Sequence, residues 1–285
     1  MKSVIFIILL ASISTLSFAQ SAPMRLPSSI HKTCQTDPKQ CLQELPALFE
    51  QVQEHNRSWF RLKNYQMWSQ FMLGDYKSFA VTTQEAITAK NAPEEFVFVA
   101  TIYRAKYLLA ILEDDEAYDL MQKAKKLFNK LDSTFSDPER LITYANLLLV
   151  EGHRLREYAP EEIYRAKYRE TRNALLQIQQ NHKNLNNPVF QRSLYANLGH
   201  VSSALKNYVK HLEYRSKALF WAKQTNNQQS IGVAQYNLAR AYQASHKYEK
   251  AIAEFDKAMT LFVEVDDVVS VTDCNLRIAE SHIEL

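Results

Sequence analysis

The feature that most restricts the fold of this chain is that it repeats itself. Tyr195-Ala196-Asn197-Leu198-Gly199 is echoed by Tyr236-Asn237-Leu238-Ala239, and Leu198 and Leu238 lie 40 residues apart. Another 40 residues reach Ile278-Ala279. Tyr144-Ala145-Asn146-Leu147 carries the same four letters 51 residues before Leu198, and the extra length predicts a longer turn around Arg154 to Ala159. A period near 40 marks supersecondary units that cannot bury their own apolar face and must stack on copies of themselves.

The units are helical. Apolar residues recur at spacings of three and four: Ile102, Ala105, Leu109 and Leu112 form one stripe, and Ala117, Leu120, Ala124 and Leu127 the next. That is the period of an α-helix; no stretch alternates at period two for long enough to make a strand. Helix starts are marked by Asp37-Pro38, Asn91-Ala92-Pro93-Glu94-Glu95, Asp137-Pro138-Glu139, Ala159-Pro160-Glu161-Glu162 and Asn187-Pro188. Proline suits a first turn, where its missing N–H has no intrahelical partner. Asp or Asn before it can cap, and the Glu residues after it favour the positive end of the helix dipole. The spacing predicts about eleven helices joined by short turns.

These residues resemble the tetratricopeptide repeat family. Leu238-Ala239 followed by Tyr242, then Tyr248, Ala251, Phe255 and Ala258, is similar to the family pattern, with Gln235 where the leading aromatic would stand. Tyr195, Leu198, Gly199, Tyr208, Ala218 and Leu219 give the preceding unit, which departs from the pattern at Ser202, His211 and Arg215. Gly74-Asp75-Tyr76 with Ala86, and Ala105 with Ala117 and Ala124, mark earlier pairs. The resemblance is close over 188–262 and looser over 56–182. It implies an all-α fold, a right-handed α-solenoid of stacked antiparallel helix pairs, spanning 38–285 with an incomplete last repeat. Residues 266–285 are then either a lone capping helix or the first half of a pair in a longer protein.

Little in the sequence resembles chemistry. With 4 Gly, there is no Gly-rich phosphate loop, and no G-x-S-x-G occurs. The 8 His form no helical i, i+4 metal pair, and His200 with His211 alone makes a poor site. No metal, cofactor or enzymatic activity is expected. Acidic pairs such as Asp114-Asp115 and Asp266-Asp267 sit at helix starts, where the dipole explains them. Asn56-Arg57-Ser58 has the spacing of a glycosylation acceptor on an apparent helix. A net charge of +3 with no basic stripe points away from nucleic acid.

The resemblance implies a protein or peptide partner, held along the concave face lined by the first helix of each pair. Asn146, Asn197 and Asn237 precede the repeat's Leu on such helices, and His200, Tyr236 and Arg240 join them as candidate binding residues. An Asn amide donates and accepts at once, which suits an extended peptide. The competing role is to bond neighbouring helices. With His200 and Arg240 on this face, a Lys/Asn clamp for a C-terminal carboxylate is not evident.

The chain begins like an exported protein. Lys2 precedes the apolar run Val4 to Leu10, and Ser17-Phe18-Ala19 has the small-x-small pattern of a signal-peptidase site. Residues 1–19 are expected to be removed after Ala19, leaving a periplasmic or secreted protein with no membrane segment. Residues 20–37, with Pro23 and Pro27, read as an irregular lead-in. In an oxidising compartment Cys34 and Cys41 are candidates for a structural disulfide, with free thiols the alternative. Cys274 reads as a small buried hydrophobe. The functional expectation is a non-catalytic binding module. The alternative, again from resemblance, is the sensing input region of a membrane-bound bacterial signalling protein of the diguanylate cyclase or histidine kinase type.

Overall fold

A computed structural model describes residues 26–285 apart from 55, 112 and 132–137. The signal peptide, the start of the lead-in, Leu112 and Asp137 lie outside the described residues. Among these there are thirteen α-helices and no strands. They form two compact units, the first ending at Leu147 and the second running Leu148–Leu285. The sequence treats 38–285 as one repeat domain; the division into units falls inside a helix.

The first unit holds α1 (Ser28–Thr36), α2 (Pro38–Phe49), α3 (Arg57–Met72), α4 (Tyr76–Thr88), α5 (Glu94–Ala110), α6 (Asp114–Lys130) and the first half of α7 (Pro138–Tyr158). Helix α1 corrects the irregular lead-in. Its sequence is polar, but Ile30 and Cys34 are buried against Cys41, Leu45, Leu62 and Tyr65. A disulfide ties Cys34 to Cys41, Cα to Cα 4.7 Å, across the α1–α2 turn. Tertiary burial thus supplies what nine residues of modest propensity lack in isolation. Asn56 is the N-cap of α3, accepting from the Trp59 N–H at 2.8 Å, and is not inside a helix as the sequence reading placed it.

The second unit holds the rest of α7, then α8 (Glu161–Asn181), α9 (Pro188–Ala204), α10 (Tyr208–Lys223), α11 (Gln228–Ala244), α12 (Tyr248–Glu264) and α13 (Val268–Ile283). Here the 40-residue period is built into the backbone. Helices α9, α11 and α13 start at 188, 228 and 268, and α10 and α12 at 208 and 248. Asn187, Asn227 and Asp267, again 40 apart, each cap the helix that follows. Their side chains accept from the N–H groups of Phe190, Ser230 and Ser270 at 3.1, 2.7 and 3.0 Å. Such a cap contributes about 1 kcal/mol. The turns repeat as well: Lys206 and His246 have φ of 59° and 56°, and Asn226 and Asp266 have 53° and 57°. The chain makes its left-handed turns largely without glycine, a strain that helix stacking must hold.

The extra residues between Leu147 and Leu198 do not form the expected longer turn. The segment 154–158 stays helical, and α7 and α8 are each 21 residues long where α9 and α10 have 17 and 16. Packing follows the small-and-large pattern. Ala239, Ala251 and Ala258 let α11 and α12 approach, and Phe255 and Phe262 fill the space, with Tyr236 and Cys274 closing the cluster. Burying one such Phe stabilises by about 1.5–3 kcal/mol. Gly199 sits under Arg215, whose Cδ would lie 2.9 Å from an added Cβ.

Candidate binding surface

Five of the six candidate residues are buried: Asn146, Asn197, His200, Tyr236 and Asn237 are between 1% and 9% exposed. Arg240 alone is half-buried. Asn237 donates its amide to the Val233 carbonyl at 2.9 Å within its own helix. The Tyr236 hydroxyl donates to Asp273 on α13, and its ring packs 5.3 Å from that of Phe255. These two side chains serve the helix stack. An exposed concave face built from them is therefore not what the residues form on their own. Asn146 belongs to the first unit and the other five to the second.

What the second unit does bring together is a basic cluster. The rings of His153 on α7 and His200 on α9 lie 4.4 Å apart, and the Tyr168 hydroxyl on α8 is 3.3 Å from His153 Nδ1. On α10, Arg215 Nε donates to His211 Nε2 at 3.3 Å, and its Nη1 donates to the Ala196 carbonyl on α9 at 3.0 Å. With Ser202, His211 and Arg215 are the positions where this unit departs from the repeat pattern, and that departure is the signal the sequence gives of Arg215. Burial holds the histidines neutral: it lowers His153 to about 4 and His211 to about 3, helped by Arg156 for the former and by Arg215 and Arg240 for the latter. His200 is driven well below its usual value by burial first, then by His153, Arg215, His211 and Arg240. Burial brings Arg215 down to about 9, with Arg240 adding repulsion.

A second assembly lies at the surface, with Tyr195, Tyr214 and Glu213 half-buried and Lys210 and Lys217 exposed. Tyr195 on α9 stacks on Tyr214 on α10, ring centroids 6.2 Å apart. Lys217 lies 5.5 Å and 6.0 Å from the two ring centres, and Lys210 lies 5.8 Å from that of Tyr214. Glu213 joins the two lysines at 2.7 and 2.8 Å. Hydrogen bonds from Lys210 and Lys217 keep its carboxyl below the usual range, so the platform is aromatic with fixed charges at its edge. Among the described residues no group of three or more His, Cys, Asp or Glu is placed to hold a metal ion. No described helix is long and apolar enough to cross a membrane.

No protein-family model matches the chain, and no curated protein matches it in sequence. Solved structures do resemble it. A signal-transduction ATPase with a tetratricopeptide repeat sensor from Pyrococcus horikoshii is 18% identical with a TM-score of 0.53. The likeness covers 87% of this chain and 36% of that one, so the chain spans about a third of the ATPase's length. The TPR2AB domain of yeast Sti1, solved with pHSP90, is 13% identical over 89% of this chain and 95% of that one, TM-score 0.36. Aspartyl phosphate phosphatase F from Bacillus subtilis is 13% identical over 93% and 72%, TM-score 0.47. At these identities the likeness concerns the fold alone, an all-α stack of tetratricopeptide-like helix pairs.

Proposed function

We propose that this protein is a non-catalytic module that binds a protein or peptide, exported to the periplasm after cleavage near Ala19. The observation that carries the reading is the Tyr195–Tyr214–Lys217 platform, two half-buried rings edged by an exposed lysine, on a stack of helix pairs. Paired aromatic faces flanked by cations present large contact area at low entropic cost, the composition found at protein contact sites. Of the residues singled out in the sequence, Arg240 is the one that keeps partial exposure.

A photo-crosslinking amino acid at 195 or 214 tests this. Crosslinks to a discrete partner should form there and not at 209 or 263, where Val209 and Val263 are 78% and 60% exposed on α10 and α12. Equal labelling at all four positions, or none, refutes the assignment. Export is tested separately: the mature protein should start at Gln20 and fractionate with the periplasm.

The second reading is a ligand- or protein-sensing input region of a membrane-bound signalling protein. It is favoured by the likeness to the repeat sensor of the Pyrococcus ATPase. A gene continuing past residue 285 into an apolar span and an output domain supports this reading; a stop codon there refutes it.

A further inference from the structure

Three histidines and two arginines converge inside the second unit from four helices. They are His153 on α7, His200 on α9, His211 and Arg215 on α10, and Arg240 on α11. The His200 ring lies 4.4 Å from that of His153, Arg215 bonds His211 and the Ala196 carbonyl and packs on Gly199 beside His200, and the charge of Arg240 acts on His200, His211 and Arg215. Two ring nitrogens in this group, His200 Nε2 and His211 Nδ1, are buried and have no hydrogen-bond partner. His200 is 9% exposed and His211 4%. Leaving such an atom unsatisfied costs on the scale of a lost hydrogen bond, so a fold that keeps two of them on adjoining helices needs a reason. The neighbouring polar groups do not supply one. Tyr168 on α8 is committed to His153, Arg215 to Ala196 and His211, and Glu151 on α7 to Lys167 at 3.3 Å. None of the interactions placed on His200 comes from an acid.

We propose that this cluster is a binding site for a small oxyanion carrying two or more negative charges, such as inorganic phosphate or a di- or tricarboxylate. Two guanidinium groups supply permanent charge and planar donor geometry suited to such an oxyanion. The histidines supply further donors: His211 Nε2 accepts from Arg215, so its unpartnered Nδ1 carries the ring proton and already donates, and His200 becomes a donor at both ring nitrogens when it takes a proton. An arriving dianion provides the missing counter-charge, favours protonation and so recruits the donors that hold it. His153 and Arg240 are the two members that keep partial exposure. The site is distinct from the Tyr195–Tyr214 platform, and either can fail without the other.

The test uses the mature protein in MES or HEPES buffer, with inorganic phosphate, sulfate and citrate compared against acetate and against sodium chloride at matched ionic strength. Sulfate and citrate should raise the Tm of the second unit at pH 6, phosphate, mostly a monoanion there, should do so less, and chloride and acetate should not. Binding of sulfate, whose charge is constant over this range, should weaken at least tenfold between pH 6 and pH 8 as a ring whose pKa the bound anion raises loses its proton. NMR titration of the His Cε1 signals in unmodified protein should show at least one of the three pKa values rise when phosphate is present. Arg240→Gln, at a half-buried position, should weaken phosphate binding at least tenfold while the far-UV circular dichroism stays that of the unmodified protein. Equal stabilisation by chloride at matched ionic strength, no change in histidine titration with phosphate, or undiminished binding by Arg240→Gln would each overturn the assignment.

Discussion

Acidification from about pH 7.5 to about pH 5 should strip several kcal/mol from the second unit while its carboxylates remain ionised. The cause is a difference in proton uptake. An unfolded histidine titrates near 6.5, whereas His153 and His211 in the folded unit titrate at about 4 and about 3. Between those values the unfolded chain binds protons that the folded one refuses, so stability is present above the unfolded pKa and is lost as the pH falls through it. At about pH 5 each group costs about 2 kcal/mol, slightly less for His153, whose edge is partly solvated. His200 shifts the same way and adds to the loss. About 4 kcal/mol from two residues is a large share of the 5–15 kcal/mol that stabilises a typical domain. Trp221 lies in the second unit and Trp59 and Trp68 in the first, so a Trp59→Phe/Trp68→Phe background makes fluorescence report the second unit alone. Urea unfolding across this pH range, in buffer free of phosphate, measures the slope. His211→Gln should flatten it by about 2 kcal/mol, the contribution of one group. A stability that stays level down to pH 5, or a slope untouched by His211→Gln, refutes the reasoning.

Gly232→Ala should destabilise by about 1–3 kcal/mol, because the new Cβ would meet Phe262 Cε1 at 2.8 Å inside the α11–α12 packing. Lys206→Gly should stabilise by about 0.5–1 kcal/mol in the same urea assay, since Lys206 is exposed at φ 59° and only the glycine is free of Cβ strain there. Tyr236→Phe should cost about 1–3 kcal/mol by removing the donor to Asp273, a carboxylate 3% exposed whose other basic neighbour is Arg277 Nε at 3.6 Å. Cys34→Ala/Cys41→Ala should lower the stability of the first unit by about 2–3 kcal/mol and leave the second unchanged, read by Trp59 and Trp68 against Trp221.

The helix-pair architecture was legible in the sequence because its determinants are local. A cap such as Asn187 or Asn227 acts on the N–H three residues on, and the apolar stripes act through the turn of a single helix. All five Pro-marked starts correspond to the starts of α2, α5, α7, α8 and α9. Cys274 was read correctly as buried, since the small residues around it belong to the same repeat pattern. Helix α1 was missed because its nine residues are held by what they touch, Leu62, Tyr65 and the bond to Cys41, more than by their own propensity. The length of α7 was missed for a related reason: repeat spacing counts residues and does not say whether extra ones lengthen a helix or a turn.

The candidate site divided along the same line. Periodicity placed Asn197, Tyr236 and Asn237 on first helices of their pairs, but which side of such a helix meets a neighbour depends on how pairs rotate against one another. Stacking turned those residues inward, and Tyr195, two positions before Asn197, reached the surface with Tyr214. His153, His200, His211, Arg215 and Arg240 span almost ninety positions of the sequence. No local rule links them, and each alone reads as an ordinary polar helix residue. Sequence by itself determined that the chain is helical, paired and repeated, because those properties arise within about forty residues. Only the tertiary structure decided that five basic groups share one interior, because burial and electrostatic neighbourhood are set by distance in space.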